Sequence, residues 1–200
     1  TLTIKKIFKR DLGLARPSLC FDKHLLDIRH FIPKETYSKK ILYVFPQDQA
    51  TSIIWYPVGG GAEQIILNNF IDIEKIGELL GFYFGDGSTS EGLQSFRMTN
   101  SEPSTLVYCV KILEELGISK HTFKVQIIYS SDKELTLTIS EKCIEYWSNQ
   151  LSFSKEKFVS VSRSKAKTES LPYGSARIFF DNNTFVEVIS AKSKKELAKE

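Results

Sequence analysis

An α+β fold is what this 200-residue sequence predicts, on three observations. The segments "LQSFRMTN", "TFKVQIIYS" and "ELTLTIS" alternate apolar with polar residues, the two-residue period of strands that bury one face. By contrast, "SEPSTLVYCVKILEELG" and "EKCIEYWSNQLSF" carry their apolar residues at helical spacing. A hydrophobic share of 42%, rich in Ile, Leu, Phe and Tyr, supplies one substantial core, and no apolar run is long enough to span a bilayer.

Residues 2–28 read as helix, turn and helix. Leu2, Ile4, Ile7, Phe8 and Leu12 sit near helical spacing, "GLARPS" interrupts, and Leu19, Phe21, Leu25 and Leu26 resume. With Lys5, Lys6, Lys9, Arg10, Arg16 and Lys23 outside, the segment fits a small helix-turn-helix module or a helical pair packed on the main domain. From Phe31 to Pro57 the chain turns aromatic and β-rich through "ILYVFP" and "TSIIWYP". "VGGGAEQ" is a loop, and "IILNNFI" leads into a helix that opens at Ile73. "LQSFRMTN" follows as a strand, then a helix with Ser101 as cap, Pro103 in its first turn and Gly117 at its end. "TFKVQIIYS" and "ELTLTIS" form a hairpin across "SDK". A helix over "EKCIEYWSNQLSF", a basic segment "KEKFVSVSRSKAK" and a strand running into a final helix complete the order. That last stretch, "GSARIFFDNNTFVEVIS", faintly echoes "LQSFRMTNSEPSTLVYCVKIL" and reads as a terminal strand and helix. The implied organisation is a basic extension over residues 1–70, a main domain over 71–190 and a charged tail over 191–200.

The three cysteines, Cys20, Cys109 and Cys143, are odd in number and far apart, which argues for buried free thiols over disulfides or a CxxC zinc site. No charged-then-apolar signal segment opens the sequence, so an intracellular setting, cytoplasmic or organellar, is expected. Charge is uneven: residues 1–45 carry ten Lys/Arg against four Asp/Glu, 46–119 three against ten, and 120–200 fourteen against ten. Basic ends suit a polyanion such as nucleic acid, and equally an ordinary solvated surface.

The stretch "IEKIGELLGFYFGDGSTSEG" is a poor helix on its face. Each interior glycine costs about 1 kcal/mol relative to alanine, and an acid at a helix C-terminus meets the negative end of the dipole. Gly77, Gly81 and Gly85 recur every fourth residue and share one stripe, along which another helix backbone can approach closely. Leu79, Leu80, Phe82, Tyr83 and Phe84 cover the other faces. If the partner is a second copy, a two-fold axis brings two Asp86 side chains to one end, where a divalent cation relieves their repulsion.

"LLGFYFGDG", residues 79–87, resembles the nine-residue signature of the LAGLIDADG homing endonucleases. The similarity in the order of elements covers roughly residues 73–160. The resemblance implies an αββαββα fold in which signature helices pair and a saddle-shaped antiparallel sheet lies on double-stranded DNA. It implies a homodimer, because only one signature is present. It assigns the metal to Asp86 with the Gly85 carbonyl, and the metal to Mg2+ or a relative such as Mn2+. Phe84 departs from the pattern, standing where many members carry an acid or a small residue.

Further site residues follow from weaker matches. "FRMTN" before a helix places Asn100 where the family holds a water-positioning amide, although an Asn there also commonly makes a turn. "FSKEK" after "IEYWSNQL" makes Lys157, and second Lys155, candidates for the lysine near the scissile phosphate, or plain solvated charges. Strand alternation points Ser95, Arg97, Thr99, Lys124, Gln126, Thr136 and Thr138 outward toward DNA, while Arg163, Lys165 and Lys167 suit phosphates. The expectation is a metal-dependent, site-specific DNA endonuclease. The alternative is a non-cleaving regulator or an intron RNA splicing cofactor on the same fold. A scaffold in which "GDGSTS" is an ordinary turn fits the glycine stripe less well. An intein is disfavoured, with Thr1 in place of a splicing Cys or Ser and no closing His-Asn.

Overall fold

The apolar alternation in the first third of the chain folds into five short strands. The computed structural model describes residues 24–32, 41–56, 63–86, 95–130, 134–164, 171–182 and 185. Strand β1 (Leu25–Asp27) pairs antiparallel with β5 (Phe70–Asp72). Strands β2 (Ile41–Pro46), β3 (Ala50–Tyr56) and β4 (Glu63–Asn68) form an antiparallel meander. Leu25 and Leu26 therefore lie on a strand, not on the helix expected through residue 28. Asp27 ends the extended run: it accepts a hydrogen bond from the Arg29 N–H at 3.0 Å and so opens a 3-10 turn, Ile28–Phe31. The rest of the anticipated helix-turn-helix, residues 2–23, lies outside the described residues, as does the tail.

These N-terminal strands share a core with the remainder. Ile28, Ile53, Ile65, Leu67 and Ile71 join the same hydrophobic cluster as Leu79, Phe96 and Trp147. The Asn68 N–H donates to the Leu116 carbonyl at 2.8 Å, and its side-chain amide to Glu115 at 2.6 Å, fastening the meander to the end of the second helix. Among the described residues no helix is long and apolar enough to cross a membrane.

Among the described residues three helices follow. Helix α1 (Ile73–Asp86) buries Ile76, Leu79, Leu80 and Tyr83, one stripe at helical spacing. Helix α2 (Pro103–Glu115) has Pro103 in its first turn, and Gly117 follows it at φ 100°, both as the sequence indicates. Its cap position is Glu102 and not Ser101, because Asn100 Oδ1 takes the Glu102 N–H at 2.7 Å and turns the chain one residue later. Helix α3 (Leu137–Leu151) replaces the second strand of the expected hairpin. Thr136 caps it, accepting from the Ile139 N–H at 3.3 Å, and Leu137 is 76% exposed. Over seven residues "ELTLTIS" alternates like a strand. The longer series Ile139, Cys143, Trp147 and Leu151 has helical spacing, and burial of its last three members decides the outcome.

That change alters the sheet. Strands β6 (Ser95–Asn100), β7 (Lys124–Ser130), β8 (Phe158–Ser164) and β9 (Ser175–Asp181) lie side by side in the order β6-β9-β7-β8. β9 is antiparallel to both its neighbours, but β7 and β8 are parallel. With α3 between them they form a crossover, which parallel pairing requires. The sheet is thus mixed and not antiparallel. One strand, not two, separates α2 from α3, so the expected αββαββα order does not hold there. The coarser class, α+β, stands.

The crossover repeats a local design. "LGISKHTF" (116–123) and "LSFSKEKF" (151–158) each pass from a helix end through a positive φ, 100° at Gly117 and 53° at Ser152. Each then makes a basic 3-10 turn, Lys120–Thr122 or Lys155–Lys157, and enters a strand. The free thiols Cys109 and Cys143 are buried as expected, and burial pushes the Cys143 thiol pKa up. Cys20 lies outside the described residues.

β9 reaches the middle of the sheet through a turn held by α3. The Trp147 indole N–H donates to the Tyr173 carbonyl at 3.0 Å, and the Tyr146 and Tyr173 rings stack at 4.1 Å. Gly174 follows at φ 68°, where a Cβ would stand 2.5 Å from the Ile128 carbonyl oxygen and 2.9 Å from Tyr129 Cα. Both obstacles are backbone. Gly174→Ala is expected to cost about 2 kcal/mol from the left-handed conformation alone, with more from parting β9 and β7. Urea unfolding of the variant checks this, and an unchanged midpoint would contradict it.

Candidate nucleic-acid interface

The four-stranded sheet has two unlike faces. Phe96, Met98, Val125, Ile127, Ala176, Ile178 and Phe180 are buried on the helix side, where the Tyr83 ring of α1 stacks on Phe96 at 4.9 Å. The opposite face carries Arg97 and Thr99 on β6, Arg177 and Phe179 on β9, Lys124 and Gln126 on β7, and Ser160 and Ser162 on β8. Most of these side chains are half-buried or exposed.

Register aligns this polar face into rows. Thr99, Arg177, Gln126 and Ser160 lie abreast on the four strands. The Arg177 guanidinium joins them: Nε donates to Thr99 Oγ1 at 2.9 Å and a terminal nitrogen donates to Gln126 Oε1 at 3.2 Å. The adjacent row is Arg97, Phe179 and Lys124. Arg97 Nε donates to Ser95 Oγ at 2.6 Å, and the Lys124 ammonium sits 3.4 Å from Asp181, an exposed pair of small energetic weight. The face is therefore cationic, rich in hydrogen-bonding groups, and about 14 Å wide across three interstrand spacings.

The expected site residues fall in different places. Arg97, Thr99, Lys124 and Gln126 are on this face. Ser95 is on it too but only 1% exposed beneath Arg97, so it is no contact residue in its own right. Thr136 and Thr138 are not on the sheet: the first caps α3 and the second is in its first turn. Arg163 pairs in register with buried Tyr129, which puts it on the helix side of β8. Lys165 and Lys167 lie outside the described residues. Asn100 ends edge strand β6, and its side-chain oxygen is engaged in the turn into α2. Lys157 precedes the opposite edge strand, its ammonium 2.5 Å from the His121 carbonyl, and Lys155 is exposed in the same turn. Asn100 and Lys157 are thus about 14 Å or more apart within one chain.

Asp86 is the last residue of α1, whose final turn contains no basic residue. Gly77, Gly81 and Gly85 are exposed, and a Cβ built on any of them meets nothing within 4 Å. Ile73 heads the same stripe and is 40% exposed. Among the described residues no group of three or more His, Cys, Asp or Glu side chains is assembled for a metal ion.

Arg177 is a member of this face beyond the sequence-predicted residues. Its signal is the alternation in "SARIFF", where Ala176, Ile178 and Phe180 are apolar and Ser175 and Arg177 oppose them, as Ser95 and Arg97 do in "SFRMTN". That β9 belongs between β6 and β7 has no local signal at all. Compared with known proteins, the chain matches no family model and no curated protein.

Proposed function

We propose that this chain binds double-stranded DNA on the open face of its four-stranded sheet and, as a homodimer, hydrolyses a phosphodiester bond in each strand with the help of a divalent metal. The observation that carries the binding half is the Thr99–Arg177–Gln126 row with Arg97 and Lys124 beside it. A cationic surface of hydrogen-bonding side chains suits base edges and phosphates, and its width is close to that of a major groove, about 12 Å.

The catalytic half rests on the end of α1 and on the signature that "LLGFYFGDG" resembles. A carboxylate at Asp86 and a backbone carbonyl at Gly85 are hard oxygen donors, the kind that suit Mg2+ or Mn2+. With no base in the last turn, nothing in α1 itself offsets the acid there. One chain offers one such carboxylate, and a second copy docked on the exposed glycine stripe supplies the other. The bound ion would activate water and neutralise charge on the phosphate. The chain's own residues hold and orient the duplex.

A second reading, DNA or RNA binding without cleavage, is favoured by one observation. Asn100 and Lys157 are each engaged in local structure and stand on opposite edges of the sheet. Incubating the protein with a random-site duplex library, with and without Mg2+, separates these readings. Discrete cuts that need the metal are expected. Retained but uncut DNA would establish the binding-only reading, and failure to retain either duplex DNA or RNA at low salt would sink both.

A further inference from the structure

We propose that Arg177 is the residue by which this face discriminates between base pairs, donating two hydrogen bonds to one guanine, and that Thr99 and Gln126 are its positioning residues. The inference rests on the DNA-binding reading above and deepens it.

Arg177 lies on β9, an interior strand of the sheet, flanked by Thr99 on one side and Gln126 on the other. A guanidinium has five N–H donors. Here Nε is committed to Thr99 at 2.9 Å and one terminal nitrogen to Gln126 at 3.2 Å. Three donors remain, spread over both terminal nitrogens, which is enough for the forked pair that O6 and N7 of guanine accept in the major groove. No other base presents two acceptors there in that arrangement.

The two existing hydrogen bonds matter as much as the free donors. An unrestrained arginine loses rotamer freedom when it docks, and a restrained one has already lost it. Both partners are acceptors toward Arg177, so the Thr99 hydroxyl hydrogen and the Gln126 amide group stay available to neighbouring base edges. The other cations on this face lack such a frame. Arg97 has Ser95 as its partner on edge strand β6, and Lys124 carries a point charge beside Asp181. Those two suit phosphates, which position a duplex without reading it.

The test selects bound sequences from a random duplex pool with the wild-type chain, Arg177→Lys and Thr99→Val. Each variant's unfolding midpoint is recorded in parallel. Wild type is expected to enrich guanine at a fixed position by on the order of 10- to 100-fold over other bases. Arg177→Lys keeps the charge and loses the fork, so preference at that position alone collapses while affinity for unselected DNA changes little. Thr99→Val keeps the shape and removes the acceptor, and it should blunt the same preference without moving others. If Arg177→Lys does not fold, the Thr99→Val selection decides alone. Unchanged guanine preference in the folded variants would overturn the proposal. So would a loss spread evenly over all positions with a lowered unfolding midpoint, the mark of a merely structural role. A wild type that holds DNA without preference also overturns it and leaves the binding reading intact. A wild type that holds no DNA overturns both.

Discussion

Asp86→Asn is expected to lower metal-dependent strand cleavage by about a thousandfold while leaving DNA retention in place. A catalytic metal contributes several kcal/mol of charge stabilisation in the transition state, and every 1.36 kcal/mol is about a factor of ten in rate. Asparagine keeps the size of the side chain and removes the charge that would hold the ion. The same substitution should have the opposite sign on stability. An acid at the C-terminal end of a helix with no base in its last turn is unfavourable by about 0.3–1 kcal/mol, and α1 ends in that way. In the absence of metal, Asp86→Asn should therefore unfold at a slightly higher temperature than wild type. Adding Mg2+ should raise the wild-type midpoint and leave the variant's where it was, by simple mass action on the folded state. Cleavage assays on a selected duplex and thermal scans with and without metal check all three. Equal cleavage by both proteins would remove Asp86 from the mechanism, and a midpoint insensitive to Mg2+ in both would remove the metal from this end of the helix.

The helical half of the fold follows from local sequence. Leu79, Leu80 and Tyr83 fall on the buried side of α1 and the glycines on its exposed side, because both depend only on a 3.6-residue period. Pro103 and Gly117 mark the start and end of α2 through their own backbone chemistry. Residues 135–139 went the other way because two periods overlap there. Leu135, Leu137 and Ile139 alternate, yet burial favours the series from Ile139 to Leu151, which extends beyond any window of strand length. Sheet order is less accessible still. The turn that leads β9 in between β6 and β7 is held by a Trp147 hydrogen bond at Tyr173 and by a glycine that fits against the backbone of Ile128. Neither contact has a sequence period. The candidate site inherits the same division. Arg97, Thr99, Lys124 and Gln126 could be placed on a face by alternation, but the convergence of Thr99 and Gln126 on Arg177 depends on strands 78 and 51 residues apart in sequence.

Gly81→Ala is expected to move two measurable quantities in opposite directions. Gly81 is exposed in the middle of α1, and a Cβ there touches nothing within 4 Å in the isolated chain. Alanine gains about 0.8–1 kcal/mol of helix propensity at such a position, so the chain alone should become more stable. Three interior or near-terminal glycines on one exposed stripe, with Ile73 at its head, thus forgo roughly 2–3 kcal/mol that alanines would supply. No described part of the chain fills the space they leave. A second copy of α1 does fill it in the proposed dimer, where the two helix backbones cross at van der Waals contact. In that crossing each added methyl is overpacking, at about 1–3 kcal/mol, and two-fold symmetry inserts it twice. Dimer dissociation should then rise by on the order of a hundredfold or more, and Gly81→Leu should abolish association outright. Sedimentation of wild type and Gly81→Ala across micromolar concentrations, beside thermal unfolding at a dilution where wild type is monomeric, measures the two quantities separately. A variant that is more stable and associates as wild type does would mean that the stripe faces solvent in the working protein. A variant that is more stable and monomeric would mean that helix stability has been given up along Gly77, Gly81 and Gly85 for the sake of the second copy, and with it the second Asp86.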